Sequence, residues 1–247
     1  LSGTMFSAKL HWFEEVESTN TLALEAAKQG ASEGTVFAAD AQSGGRGRGG
    51  HTWHSERGNG LYFSFILRPA LSPAQTLWLS LAAGAAVHAA IQHTTGIAAD
   101  IRWPNDVLIG KRKVCGILAE SQADAVVIGI GINVNHAAFP AELAQLATSL
   151  RIESGKTWDR ALLISEVLRQ FEAEYRTLLQ EAPKETGASL LARLPAISTW
   201  ISGKRVHVPE RGGYTGITAG LDGDGFLLVN SGDEVRRVLS GGVREIE

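Results

Sequence analysis

Residues 102–118, "RWPNDVLIGKRKVCGIL", carry the strongest structural signal in the chain. Short runs rich in β-branched residues alternate here with Pro, Asn and Gly, a pattern typical of strands joined by tight turns. The pattern predicts strands at 106–110 and 113–121, preceded by one at 99–103 and followed by one at 125–135. We therefore expect a sheet built around this part of the chain.

The same stretch places several polar side chains at the ends of its strands. Pro104 restricts Trp103 to extended geometry, so Asn105 and Asp106 leave the turn in a defined direction. Lys113 lies at the start of an apolar strand, where a lysine can contact a carboxylate or a phosphate. Taken alone, Asn-Asp is also a plain turn signal, and most lysines are solvated surface residues.

The rest of the chain divides into a helix-containing part and a β-rich tail. Strands are predicted at 10–16, 35–41 and 60–69, and helices at 17–30, 73–93, 141–149, 158–180 and 187–194. Ser18 or Thr19 is predicted to cap the first helix. Beyond residue 200, short β-runs separated by turns predict a small β-barrel or β-sandwich. The expected domains are residues 1–199 and 200–247.

A glycine-arginine loop, residues 43–53 with the sequence "SGGRGRGGHTW", follows the second strand. Glycines allow consecutive backbone amides to turn inward as an anion-binding nest, and Arg46 and Arg48 add guanidinium groups suited to phosphate or carboxylate. A flexible hairpin tip with solvated arginines is the alternative. Trp53 is a candidate for stacking on a base, or else a core anchor for the next strand.

A third polar segment, "GIGINVN" at residues 129–135, ends an apolar strand. Its glycines permit a ligand to approach the backbone, and its asparagines donate and accept hydrogen bonds, although an ordinary strand-end turn has the same composition. Because the same chemistry recurs in three separate segments, we predict one local site that binds an anion.

Composition excludes several classes of protein. The 247 residues are 44% hydrophobic and 20% charged with a net charge of −3, so a broad basic surface for nucleic acid or anionic lipid is not expected. No stretch approaches a membrane span, and nothing before the first strand predicts a helix-turn-helix. The single cysteine, Cys115, suits a reducing compartment and is expected to be a buried hydrophobe. We expect a cytoplasmic protein with neither a membrane nor a DNA partner.

Four familiar motifs do not fit the chain. The loop contains a G-x-G-x-x-G pattern, but it leads into a strand, and the acidic residue that dinucleotide binding requires about 20 positions later is missing. Residues 154–157, "SGKT", resemble the end of a phosphate-binding loop but are expected to form a helix-capping turn. His51 and His54 have no third ligand nearby in sequence, so no metal site is predicted. The G-x-S-x-G elbow of serine hydrolases is absent.

Together, the segments resemble those of the biotin protein ligases, the enzymes that attach biotin to carboxylase subunits. The matching stretches follow the family's order and spacing over residues 10–135: "ESTNTLA", "QSGGRGRGGHTWHS", "GLYFSFIL", "RWPNDVLIGKRKVCGILAE" and "VIGIGINVN". The tail, with "GLDGDGFLLV", resembles the family's small C-terminal domain.

The resemblance implies an α+β fold. It implies a catalytic domain like that of class II aminoacyl-tRNA synthetases, with a mixed sheet flanked by helices, and a C-terminal SH3-like β-barrel. It also implies a ligase that uses ATP and Mg²⁺ to form biotinyl-5′-AMP and then biotinylates a lysine of a biotin carboxyl carrier protein or domain, as in acetyl-CoA carboxylase and related carboxylases. Some relatives form homodimers. Relatives that repress transcription carry an N-terminal DNA-binding domain, which is not expected here.

The resemblance also implies site residues, position by position. The implied catalytic residues are Lys113, Arg46, Arg48 and Asp106, with Asp106 either orienting Lys113 or helping to deprotonate the acceptor amine. The implied contacts to biotin are Ser18, Thr19, Asn20, Gln42, Gly45, Arg46, Gly47, Arg48, Lys113, Gly116 and Gly129. The implied contacts to ATP and the adenylate are Arg46, Arg48, Trp53, Asn105, Lys113 and Asn133. Many relatives carry lysine at the position of Arg102. Because both side chains are cationic, we expect Arg102 to keep a contact to phosphate.

Two alternatives stay open. A lipoate or octanoate ligase shares the fold and a comparable lysine, although "GRGRGG" together with "WPND" favours biotin. A protein that binds biotin or its adenylate without transferring it has no need of Lys113 at the reacting phosphate, so this lysine favours an enzyme.

Overall fold

The computed structural model describes residues 1–71, 73–181, 187–239 and 242–246. Within those residues, seven strands build a central sheet in the order β1-β2-β3-β7-β6-β5-β4. The strands are β1 (Leu10–Val16), β2 (Val36–Gln42), β3 (Gly60–Leu67), β4 (Asp100–Arg102), β5 (Asp106–Ile109), β6 (Arg112–Gln122) and β7 (Ala125–Asn133). The β1–β2 pair is parallel and the other pairs in this sheet are antiparallel, so the sheet is mixed, as expected.

Helices cover both faces of this sheet because successive residues of each strand point to opposite sides. Helix α1 (Thr19–Lys28) packs on one face, over Phe37, Ile66 and Val127. Helices α2 (Leu77–Thr95) and α4 (Arg160–Gln180) pack on the other face, where the neighbouring strand residues Phe65 and Ile128 form part of the main core. Among the described residues, no helix combines the length and hydropathy that crossing a membrane requires.

Most elements agree with the prediction to within a few residues. Ser18 caps α1, because its hydroxyl accepts a hydrogen bond from the Thr21 amide. The short helix α3 (Leu150–Ser154) ends at Gly155, whose φ of 71° is left-handed, so the segment 154–157 is the helix-capping turn expected from the sequence. Helix α5 spans Ala188–Ile197. Cys115 is fully buried and burial raises the pKa of its thiol, which confirms its interpretation as a small hydrophobe.

The predicted helix at 141–149 is wrong. Residues in this segment form turns, and the helix begins only at Leu150, with Ser149 as its cap. The reason is a tertiary contact: the amide of Lys113 donates to the carbonyl of Leu146 at 2.8 Å, and the amide of Thr148 donates to the carbonyl of Lys113 at 2.9 Å. Backbone groups that hydrogen-bond to another segment cannot also form the hydrogen bonds of a helix. This contact therefore overrides the local helix propensity.

The tail forms a second, antiparallel sheet, in agreement with the predicted β-rich domain. Its strands are β8 (Ser202–Val208), β9 (Tyr214–Leu221), β10 (Leu227–Ser231), β11 (Glu234–Arg237) and β12 (Arg244–Glu245), in the order β11-β10-β9-β8-β12. It joins the first part through Trp103, whose indole Nε1 donates to the carbonyl of Gly225 at 2.9 Å. Gly225 also lies against Trp78 of α2. The turn that carries Asn105 and Asp106 is therefore supported by the tail.

We expect the Trp103→Phe substitution to lower the free energy of unfolding by about 1–3 kcal/mol, because it leaves the buried carbonyl of Gly225 without its donor. Trp103 is 3% exposed, so water does not replace the indole. Thermal and urea denaturation followed by circular dichroism measure the change. Trp12→Phe is the matched control, since Trp12 is 39% exposed on an edge strand. Equal losses in the two variants would contradict this role for Trp103.

Candidate active site

A pocket opens where the side chains on the α1 face of the sheet become small. The strand register aligns Gly116 of β6 with Gly131 of β7, and Gly129 of β7 with Ser64 of β3. Helix α1 covers the neighbouring Val127 on this face but begins beside Gly129, so the glycine backbone beyond its N-terminus is left accessible. The pocket is a cleft rather than a sealed cavity, and its space of about 420 Å³ includes the solvent at its mouth.

Most of the residues implied by the resemblance meet on the wall of this pocket. They are Ser18, Thr19, Asn20, Gln42, Arg46, Gly47, Arg48, Trp53, Asn105, Lys113, Gly116 and Gly129. They come from α1, β2, the glycine-arginine loop, the turn before β5, and strands β6 and β7, so the fold gathers the three polar segments that the sequence indicates into one site.

One end of the pocket is an uncharged polar surface held by hydrogen bonds. The Thr19 amide donates to Gln42 Oε1 at 2.8 Å, which fixes the Gln42 side chain against the start of α1. The hydroxyl of Ser64 lies 2.6 Å from Asn20 Oδ1, and Asn20 Nδ2 donates to Glu120 Oε2 at 2.8 Å. Because these side chains are held by one another, their positions on the pocket wall are fixed before a ligand binds.

The other end of the pocket is cationic and centred on Lys113. Its Nζ lies 2.5 Å from Asp106 Oδ1, and Asp106 also pairs with Arg102. The backbone of Lys113 is held on both sides by the segment that contains Leu146 and Thr148. Both the backbone and the ammonium group of Lys113 are therefore fixed before any ligand binds.

The two arginines of the glycine-arginine loop reach the pocket in different ways. Arg46 Nη2 lies 2.6 Å from Glu120 Oε1, which connects the loop to the hydrogen-bond network around Asn20. Arg48, like Arg46, is an exposed residue, but partial desolvation lowers its pKa while the carboxylate of Asp106 opposes that shift. An arginine stays protonated under these conditions, so Arg48 is a charged donor on the pocket wall.

Trp53 forms an aromatic surface inside the pocket. A Cβ at Gly131 would lie 2.4 Å from its Nε1, and a Cβ at Gly116 would lie 2.8 Å from its Cζ3, so the ring rests against both strands and requires glycine there. Lys113 Nζ lies 5.2 Å from the ring centroid, within the range of a cation–π contact. Within the described part of the chain, the buried Nε1 has no hydrogen-bond partner.

Three of the implied residues lie off the pocket wall. Gly45 lies behind Trp53, whose amide donates to its carbonyl at 2.9 Å. Asp106 contacts the pocket through Lys113. Asn133 is 4% exposed and its Nδ2 donates to the carbonyl of Lys113 at 3.4 Å, so it too reaches the site through the lysine.

The sequence reasoning missed Ser64 and Glu120, and it indicated Gly131 only as one of the two glycines of the segment 129–135. Strand alternation was the available signal, because residues two apart on a strand share a face. Counting from Gly116 by twos leads to Glu120, and counting from Gly129 leads to Gly131. The contact of Ser64 with Asn20 had no signal in the sequence, since it depends on how helix α1 packs against strand β3.

Comparisons with known proteins agree with this site. Residues 12–135 match the model of the biotin/lipoate A/B protein ligase family, and residues 201–243 match the biotin protein ligase C-terminal domain. The chain is 38% identical over 232 residues to the bifunctional ligase/repressor BirA of Bacillus spizizenii, covering 91% of this chain and 70% of that protein. It is 34% identical to the biotin–[acetyl-CoA-carboxylase] ligase of Mycobacterium tuberculosis, covering 92% of this chain and 85% of that one.

A solved structure is similar as well. The biotin protein ligase from Aquifex aeolicus in complex with biotin and ATP superposes with a TM-score of 0.86 at 34% identity, covering 97% of this chain and 100% of that one. The chain therefore belongs to the biotin/lipoate A/B protein ligase family. Within that family its relatives and its C-terminal domain identify it as an enzyme of the biotin protein ligase type.

Proposed function

We propose that this protein biotinylates a carrier protein in two half-reactions. In the first, a carboxylate oxygen of biotin attacks the α-phosphorus of ATP, the bond to pyrophosphate breaks, and biotinyl-5′-AMP forms. In the second, the neutral amine of a carrier lysine attacks the carbonyl carbon, the bond to the phosphate oxygen breaks, and AMP leaves. The Aquifex aeolicus relative, whose structure contains biotin and ATP, supports this pair of substrates.

The observation that carries the proposal is the polarity of the pocket. Biotin has a neutral ureido ring that donates and accepts hydrogen bonds at one end and a carboxylate at the other. The wall of the pocket offers Thr19, Asn20 and Gln42 as neutral polar groups, and Arg48 and Lys113 as cations. Joining a carboxylate to a phosphate brings two anions together, so a catalyst must supply positive charge where negative charge gathers in the transition state.

Lys113 is the proposed main catalytic residue, bridging the biotin carboxylate and the α-phosphate. Its ammonium group is held by Asp106, which is itself engaged by Arg102. A carboxylate shared by two cations is suited to orient them, which favours the orienting role of Asp106 over that of a base for the acceptor amine. Arg102 in turn is available for the phosphate contact expected at this position.

The nucleotide is proposed to use the remaining polar groups. Trp53 supplies the aromatic surface for adenine stacking, and Asn105 is the proposed contact to the adenylate. Asn133 acts through its bond to the Lys113 carbonyl. Glycine backbone at Gly45 and Gly47 allows the glycine-arginine loop to close over the bound substrates and exclude water from the mixed anhydride.

Mg²⁺ is part of the proposal as the ion that accompanies ATP. The donor set near Lys113 fits an ion carried by the phosphates, because the Asp106 carboxylate is already paired with two cations and Mg²⁺ commonly binds through substrate phosphates and water. The proposed acceptor is a biotin carboxyl carrier protein or domain of a biotin-dependent carboxylase, and the proposed compartment is the cytoplasm. We also propose residues 1–199 as the catalytic domain and 200–247 as the C-terminal domain.

Intact-mass measurement of a biotin carrier domain tests the function. The carrier is incubated with this protein, ATP and Mg²⁺, with biotin and lipoate offered in parallel. We expect a gain of one biotinyl group on one lysine. A gain with lipoate instead would identify the lipoate ligase alternative, and tight biotin binding without any gain would identify a non-catalytic binder.

We expect the Arg48→Ala substitution to release biotinyl-5′-AMP at least about tenfold faster, because the closing loop loses a charged hydrogen bond to the phosphate. The off-rate is measured by chasing preformed radiolabelled adenylate with unlabelled biotin and ATP. Arg57→Ala is the matched control, since that side chain is 53% exposed and pairs with Glu15 outside the pocket. An unchanged off-rate in Arg48→Ala would contradict a role in retaining the intermediate.

A further inference from the structure

A cluster of three metal-ligating side chains lies beside the active site but outside its wall. His54 follows Trp53 directly, Glu56 lies two residues further on, and His136 comes three residues after the end of β7. One ring nitrogen from each histidine and one carboxylate oxygen of Glu56 all lie within 4.8 Å of one another. His51, the histidine within the glycine-arginine loop, is not part of this cluster.

His136 is an unusual histidine for a protein core. It is 0% exposed, and its Nδ1 has no hydrogen-bond partner within the described part of the chain. The Tyr62 hydroxyl donates to the backbone carbonyl of Glu56 at 3.0 Å and lies 3.5 Å from His136 Nε2. Leaving a buried polar atom without a partner is unfavourable, so such an atom calls for a ligand or an ordered water.

We propose that His54, Glu56 and His136 bind a divalent transition-metal ion, with Zn²⁺ as the ion that the site fits best and water in the fourth position. Two imidazoles and one carboxylate are a common zinc ligand set, whereas Mg²⁺ and Ca²⁺ prefer oxygen ligands alone.

The geometry requires only small movements. With Zn–N and Zn–O distances of about 2.0–2.2 Å, ligand atoms around a tetrahedral ion are separated by about 3.4 Å. The distances between the three ligand atoms, now within 4.8 Å, therefore need to shorten by little more than an ångström. His54 is half-buried and Glu56 is exposed, so both side chains can move toward the fixed His136.

The cluster joins two segments that are distant in sequence. His54 and Glu56 come directly after the glycine-arginine loop, whereas His136 belongs to the segment that follows β7. A bound ion would tie the base of the loop, next to Trp53, to the end of the strand that carries Gly129 and Gly131. The proposal does not depend on which substrate the pocket activates.

Calorimetric titration of Zn²⁺ into the tag-free, chelator-stripped 247-residue protein tests the site. We expect one Zn²⁺ per chain in the wild type and at least about tenfold weaker binding in His54→Ala and in Glu56→Gln. Both substitutions fall on residues that are not fully buried, so the fold is retained and circular dichroism checks it. His51→Ala is the matched control, an exposed histidine in the glycine-arginine loop that is expected to bind as the wild type does.

A second measurement reports the ligand set directly. Co²⁺ in the same site is expected to show visible absorption that Zn²⁺ displaces in the wild type and in His51→Ala, and that is lost in His54→Ala. A wild type with no saturable Zn²⁺ binding overturns the proposal. Equal dissociation constants in the wild type, His54→Ala and Glu56→Gln also overturn it, because they would show that any bound ion uses other residues.

Discussion

The Lys113→Ala variant is expected to form biotinyl-5′-AMP at least about 100-fold more slowly than the wild type. Its ammonium group is the cation that we propose bridges the biotin carboxylate and the α-phosphate, and removing such a preorganised charge typically costs two to three orders of magnitude in rate. The loss is expected in the rate constant for adenylation more than in biotin affinity, because this interaction strengthens as charge develops.

The Lys113→Ala substitution is expected to lower the free energy of unfolding only slightly. Lys113 is partly exposed, and its partner Asp106 retains its ion pair with Arg102, so the substitution leaves no unpaired buried charge. The backbone contacts of residue 113 with Leu146 and Thr148 do not involve the side chain and survive the change. The thermal unfolding midpoint therefore separates a catalytic defect from a folding defect.

Single-turnover release of pyrophosphate at saturating biotin and ATP measures the adenylation step. Lys111→Ala is the matched control, because Lys111 is an exposed lysine two residues away in the turn before β6. We expect the control to adenylate at the wild-type rate. Full adenylation by Lys113→Ala would refute the catalytic role and would leave Arg46 and Arg48 as the cations that serve the reaction.

Features set by neighbouring residues were predictable from the sequence. The cap of α1 at Ser18 and the turn at Gly155 follow from local chemistry, and the strands around residues 102–118 follow from β-branched runs broken by turn residues. The pocket wall was also predictable in large part, because the resemblance maps roles onto residues of four short segments. These predictions needed no knowledge of how distant segments pair.

Features set by distant contacts were not predictable. The segment 141–149 has helical composition, yet its backbone pairs with Lys113, more than 30 residues earlier in the sequence. Glu120 on β6 connects Asn20 on α1 to Arg46 in the glycine-arginine loop. That connection forms only when the helix and the loop both pack against β6. The sequence places no third metal ligand near His51 and His54, and the fold brings His136 to His54 from the end of another strand.

The Gly129→Ala variant is expected to bind biotin about 100-fold more weakly than the wild type, a change of about 2.7 kcal/mol. A Cβ at this position would lie 1.9 Å from Asn20 Oδ1, far inside contact distance. Neither side can yield easily, because β7 is a central strand and Asn20 is buried and held by Ser64 and Glu120. The substitution must therefore displace the Asn20 amide from the neutral end of the pocket.

Calorimetry with biotin measures the affinity, and chemical denaturation measures the accompanying loss of stability, expected at about 1–3 kcal/mol for an overpacked site. Gly84→Ala is the matched control, since its Cβ meets Ile101 at an ordinary 3.6 Å within helix α2 and is expected to stabilise the helix by about 0.5–1 kcal/mol. If Gly129→Ala binds biotin as tightly as the wild type while losing stability, then Asn20 positions α1 against the sheet but does not contact biotin. If Gly129→Ala loses affinity for biotin and Gly84→Ala does not, then Gly129 and the Asn20 side chain beside it contribute to ligand recognition.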